Sequence, residues 1–246
     1  VRGNRQERRH AIGGQDAPPH VAILEALDKA QLDHLRVGSQ RLALQSDLLG
    51  AWAVGIENVL PLTGDPVKNG DQKETKPVFD LNSVKLMALI HKLNEGMAYN
   101  DKPLNAKTHF FVGGAVDPNH FGSDAFRSKF EAKIENGARF FQSQPVYDKK
   151  IAEGLFKYCD DLKAKILIGI ILIKSAKQAN FLNTIPGIKI PQEVIARFEG
   201  AEDPLKIGVE YAAEQCREFK PISHGIHIMT VGREDLVPQI LVQAGL

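Results

Sequence analysis

Cysteine is nearly absent. Cys159 and Cys216 are the only two in 246 residues, they lie far apart, and they show no CxxC spacing. The spacing therefore gives no support to a disulfide framework or a cysteine-held zinc, and a reduced, cytoplasmic setting is expected. An excess of one charge is lacking too. Lysine and arginine number 31 against 30 aspartates and glutamates, so no whole-chain basic field exists to gather phosphate backbones or anionic lipid. Neither nucleic acid nor a membrane is an expected partner. No apolar run approaches the roughly 18 residues of a membrane span. The basic start, with RGNRQERR at 2–9, reads as a solvated loop and not as a signal peptide. Val1 is not a natural initiator, and sequence ahead of it is expected. Finally, no GxGxxG follows a first strand, which counts against an open dinucleotide-binding sheet.

What is present is alternation. Short apolar or β-branched runs at 32–37, 58–64, 108–116, 139–146, 165–172 and 225–232 are each followed by a longer stretch with helical spacing. The helical patterns fall at 43–54, 83–93, 124–136, 149–162, 176–182, 206–219 and 234–244, with one more at 21–30. That order is the signature of βα units around a parallel sheet. The spacing of most runs, near 30 residues, suits a barrel. The expectation is an α/β fold, a single (β/α)₈ TIM barrel over 1–246. In it the six runs are strands three to eight, and strands one and two are missing or incomplete.

In such a barrel the chemistry gathers where strands end and βα loops begin. Those ends are polar here: Thr63, Gly64 and Asp65 after the second run, Gln142, Ser143 and Gln144 in the fourth, Thr230 and Arg233 after the last. His224 and His227 are three apart on a strand, so they face opposite sides and cannot share a metal. No metal site is expected.

Six segments then carry a resemblance: VLPLTGDP (59–66), FFVGGAVDP (110–118), KIENGARFFQSQPVYD (133–148), GIILIKSAKQANFLN (169–183), PGIKIP (186–191) and GIHIMTVGRED (225–235). In this order and spacing they resemble the methylenetetrahydrofolate reductases, from about His34 to the C-terminus. The resemblance implies a barrel that holds FAD at the carboxyl ends of its strands. Folate and the electron donor would use the same flavin face in turn, in a reaction that forms 5-methyltetrahydrofolate for one-carbon metabolism and methionine biosynthesis. The implied partners are methylenetetrahydrofolate, NAD(P)H or an electron-transfer partner subunit, and further copies in an oligomer.

Site residues follow from the same resemblance. Asp65 matches the aspartate that contacts folate near the flavin, where a carboxylate favours the cationic iminium of the opened methylene bridge. Gln144 matches the glutamine that meets the pterin edge, whose alternating donors and acceptors suit an amide. Gln178 and Phe181 resemble the stretch beside the folate benzoyl group, and Arg233 an arginine open to a folate carboxylate or the donor. Lys133 aligns with a lysine reaching the flavin phosphates, a use for a long-stemmed point charge. His34, Thr63, Gly64 and His120 fall at or near other flavin contacts. Each also has a plain structural reading: Gly64-Asp65-Pro66 is a turn-forming triplet, and helical lysines are commonly just solvated.

The sequence also departs from the family. Thr63 stands where many members carry arginine, and AVDPNHF (115–121) lacks the tyrosine that often covers the flavin. No residue before His34 matches the glutamate that donates a proton to folate. The alternative function is therefore a non-catalytic folate-binding or scaffold subunit of a larger one-carbon complex.

Overall fold

The computed structural model describes residues 41–64 and 80–246. Its framework is a five-stranded sheet in strict sequence order, β1 (Asn58–Val59), β2 (Phe111–Val116), β3 (Ala138–Pro145), β4 (Lys165–Ile171) and β5 (Gly225–Met229). Every neighbouring pair is parallel. Sequential parallel pairing with a helix between strands makes the wall of a barrel, and five of the six expected runs form it. The sixth, 32–37, lies outside the described residues, as does the helical pattern at 21–30.

Three strands are shorter than their apolar runs, each for a local reason. In the run 58–64 Pro61 has no N–H to give a ladder, and β1 ends at Val59. In the run 108–116 the first residues are held by a side chain: Asn94 Oδ1 accepts from Thr108 Oγ1 at 2.7 Å and from Phe110 N at 2.8 Å. In the last run Val231 and Gly232 turn to positive φ, 53° and 84°, and stop β5 at Met229.

The helices are α1 (Arg41–Ala53), α2 (Ser83–Glu95), α3 (Asp124–Glu135), α4 (Lys149–Asp161), α5 (Ala176–Leu182), α6 (Gln192–Ala196), α7 (Pro204–Phe219) and α8 (Val237–Ala244). Most start on a side chain that accepts a first-turn N–H: Asn82, Ser123, Asp148, Ser175 and Asp203 all do so. Only α6 has no counterpart among the expected helices; at five residues it is too short to show a helical period.

Strand alternation separates two faces. Ile166, Ile168 and Ile170 join Leu86, Leu93, Phe130, Leu155, Val209 and Phe219 in the large core between sheet and helices. On the opposite, inner face Leu60, Phe140 and Leu167 form a small cluster of their own. Gly113 makes room for it, since a β-carbon there would sit 2.3 Å from the Phe140 ring. A third cluster, Ile171, Ile173, Leu182, Ile188, Ile190, Ile195 and Phe198, anchors the 174–200 segment over the end of β4. Cys159 and Cys216 are fully buried on α4 and α7, and burial pushes their thiols up to about 12 and about 11, which leaves them inert.

Candidate active site

Thr63 closes the first rim loop onto a helix. Its hydroxyl donates to Ser83 Oγ at 3.2 Å and accepts from Ser83 N at 3.3 Å, which ties the end of β1's run to the start of α2. Gly64 follows at φ 76°, a turn that disfavours any side chain. Asp65 and His34 lie outside the described residues.

Beyond β2 a cavity of about 240 Å³ opens between the strand end and α3, lined among others by Asp117, His120, Ser123, Lys129 and Lys133. The sequence builds it from three devices. Asp117 and Pro118 start a single 3₁₀ turn, Ser123 caps α3, and Lys129 and Lys133 stand one helical turn apart on one face. Lys133 is buried, and its ammonium donates to the carbonyl of Ala115. Burial, with the neighbouring Lys129 charge second, pushes its pKa down to about 8. An ammonium placed at such a cost beside a second lysine fits an anionic group in the cavity, which would restore the charged form. His120 stands at the mouth, largely exposed, with Nδ1 2.9 Å from Asp117 Oδ2.

Gln144 is exposed at the end of β3. Beside it runs the loop that leaves α5: a β-carbon on Gly187 would lie 3.6 Å from Gln144 Cγ and 3.2 Å from Asp117 Oδ2. Gln178 serves its own loop, since its Oε1 accepts from Lys174 N at 2.6 Å. Phe181, one turn on, is 64% exposed and free to meet a flat ligand.

Of the two histidines only His227 lies on β5, and His224 sits in the bend just before it. His224 Nδ1 accepts from Ile166 N at 3.2 Å, and its ring lies against Phe156 of α4. Alternation turns His227 to the inner face, where its Nδ1 is buried with no hydrogen-bond partner among the described residues. Burial lowers the pKa of both rings. Thr230 donates to Glu234 at 3.0 Å, and Arg233 is held by Asp235 through two bonds of 2.9 and 2.8 Å. A ligand carboxylate would have to share or displace that pair. Among the described residues no group of three or more His, Cys, Asp or Glu could hold a metal, and no helix is long and apolar enough to cross a membrane.

The structure thus brings His120 and Lys133 to one cavity and sets Gln144 near its border through Asp117. Gln178 and Phe181 stand on α5, the helix after β4, and Arg233 on the loop after β5. Sequence reasoning missed Lys129, Asp117, Asn119 and Gly187. The four-residue step from Lys129 to Lys133 was a usable signal for the first. Nothing in the sequence announced the bond between Asn119 and Gly187, 68 residues apart.

Comparison with known proteins falls on the same segments. The family model for methylenetetrahydrofolate reductase matches residues 30–245. Methylenetetrahydrofolate reductase 1 of Schizosaccharomyces pombe is 28% identical over 219 residues, which cover 82% of this chain and 33% of that protein. Methylenetetrahydrofolate reductase (NADH) 1 of Arabidopsis thaliana is 27% identical over 211 residues, covering 78% and 34%. The chain spans about a third of the length of these curated relatives. Among solved structures, a Clostridium thermocellum protein that binds two copies of 5-methyl-5,6,7,8-tetrahydrofolic acid superposes with a TM-score of 0.44 at 17% identity, covering 85% of this chain and 90% of that one. With six motifs in order on a sequential parallel sheet and a family match over nearly its whole length, this chain belongs to the methylenetetrahydrofolate reductase family.

Proposed function

We propose that this chain is the catalytic barrel of a flavin-dependent methylenetetrahydrofolate reductase, reducing 5,10-methylenetetrahydrofolate to 5-methyltetrahydrofolate. The observation that carries the reading is the Lys129–Lys133 cavity. It offers an anion two ammonium groups and the capped end of α3, at the strand end where the family resemblance expects flavin phosphates. About 240 Å³ suits the phosphate and ribose portion of FAD and not the whole cofactor, so the ring system would lie further across the strand ends. When bound, the flavin supplies hydride to the methylene carbon. The chain's residues do the rest. Lys133 and Lys129 hold the phosphates, Gln144 orients the pterin, Phe181 offers a face to the benzoyl group, and Asp65 sets a negative charge near the opening bridge. The donor, NAD(P)H or a partner subunit, acts in the other half-reaction.

The test is FAD binding by the purified full-length protein, followed by its yellow absorption and by equilibrium titration. Lys133→Met should weaken binding by about 10- to 100-fold, the loss of one charge-assisted contact of about 1.5–3 kcal/mol. A folded protein that neither retains nor rebinds FAD would instead be the folate-binding scaffold subunit.

A further inference from the structure

Two loops that follow different strands meet at one side chain. Asn119, in the 3₁₀ turn after β2, donates from Nδ2 to Asp117 Oδ1 at 3.0 Å and to the carbonyl of Gly187 at 2.8 Å. Its backbone N–H also donates to Asp117 Oδ1, at 3.0 Å. Asp117 is thereby fixed on both oxygens, with His120 at 2.9 Å on the second. Gly187 has φ 88°, a region that favours glycine. The space where its side chain would be is bounded by Asp117 Oδ2 and by the Cγ of Gln144. The far end of the loop is pinned separately: Asn183 bonds both the N–H and the carbonyl of Ile190, at 2.6 and 3.0 Å. The loop 183–190, held by Asn183 at its ends and by Asn119 at Gly187, is therefore a short, tethered strap beside Gln144.

We propose that Asp117 and Asn119 are positioning residues for folate recognition: they clamp the Gly187 strap against Gln144 and so fix the rotamer of the amide that reads the pterin. The physical case rests on entropy. An exposed glutamine has about three free torsions, and ordering such a side chain on binding costs roughly 0.5–1.5 kcal/mol. A strap held at Gly187 removes part of that freedom beforehand. Neither clamp residue touches the pterin; Asn119 acts through the carbonyl of Gly187, and Asp117 acts by holding Asn119. The clamp depends on glycine, because a methyl at 187 would meet Asp117 and the Gln144 stem on a backbone already at positive φ.

The proposal rests on the reading of Gln144 as the pterin contact, and a double-mutant cycle tests the two separately. Equilibrium binding of 5-methyltetrahydrofolate to the FAD-loaded full-length protein is the readout, in wild type, Asn119→Ala, Gln144→Ala and the double variant. Asn119→Ala is expected to weaken binding about fivefold, with KM for methylenetetrahydrofolate raised and kcat nearly unchanged. In the Gln144→Ala background the same substitution should change binding less than twofold, because its target is gone. A merely structural loss would add in full in both backgrounds, and that result overturns the proposal. Gly187→Ala should repeat the signature of Asn119→Ala, and it carries the test if Asn119→Ala does not fold. If Gln144→Ala weakens binding while neither Asn119→Ala nor Gly187→Ala does, the clamp alone fails. If Gln144→Ala binds as wild type, the pterin assignment fails and the clamp with it.

Discussion

At the scale of single residues, the informative groups are those held in a state that water would not choose. Lys133 is one. Its pKa of about 8 in the fold, against 10.5 for an ordinary lysine, means that between these values the unfolded chain holds a proton the folded chain has lost. Stability of the flavin-free protein from this group therefore rises as pH climbs from 8 to 10.5, and is least below 8, where the buried ammonium is charged. A bound phosphate reverses the preference. FAD binding near pH 8.5 should take up protons, measurable by calorimetry in buffers of different ionisation enthalpy, and should weaken as pH rises above 8; Lys133→Met should abolish the uptake. Asp65 is testable by kinetics. In the proposed reaction the folate half-reaction passes through a cation on the substrate and the donor half-reaction does not, so Asp65→Asn should slow flavin reoxidation by methylenetetrahydrofolate far more than flavin reduction. The expected loss is about 2–4 kcal/mol of transition-state stabilisation, or roughly two to three decades in rate. Equal slowing of both steps in stopped-flow traces would return Asp65 to a turn residue.

At the scale of elements, β5 and the bend that leads into it carry two histidines whose environments both disfavour charge. His224 accepts a backbone N–H through Nδ1, which requires the neutral ring, and His227 is desolvated on the inner face. Their folded pKa values lie below the ordinary 6.5, so below that pH the unfolded chain binds protons that the folded chain refuses. Stability contributed by neutral histidine is complete above pH 6.5 and falls as pH drops below it. The denaturant midpoint should therefore decline between pH 7 and 5.5, and His227→Gln should flatten that decline; an unchanged slope would mean that the ring finds a partner when charged. The elements also show how far the sequence could be read. Strands and helices were legible because βα alternation imposes a period on apolar residues: the runs at 165–172 and 139–146 match β4 and β3 to within a residue or two. Ladder ends were not, because they depend on events outside the period, such as Pro61 or the Asn94 side chain. Likewise Lys133 was legible as a member of a motif, whereas its partner Lys129 and the Asn119–Gly187 bond depend on how separate loops meet.

At the scale of the whole molecule, the proposed cofactor would become part of the stability. The described sheet has an inner face where only Leu60, Phe140 and Leu167 cluster, with Phe111 stacked on Phe140 and still 42% exposed. A buried lysine of α3 reaches the end of β2, and on β5 the Nδ1 of His227 has no hydrogen-bond partner among the described residues. On the proposed reading the bound cofactor compensates the Lys133 charge, so the ligand-free protein should be markedly less stable than the loaded one. Mass action sets the size: FAD at one hundred times its dissociation constant adds about 2.7 kcal/mol to a fold that binds it only when native. For a domain of this length, 1 kcal/mol shifts Tm by about 2–4 °C, so saturation should raise Tm by roughly 5–11 °C in a calorimetric scan of the full-length protein. Lys133→Met should reduce the rise at a fixed, subsaturating FAD concentration without lowering the ligand-free Tm, since it removes a buried charge and keeps the stem's volume. If 5-methyltetrahydrofolate raises Tm in the absence of flavin while FAD at millimolar concentration does not, the barrel binds folate alone. The scaffold reading would then replace the enzymatic one.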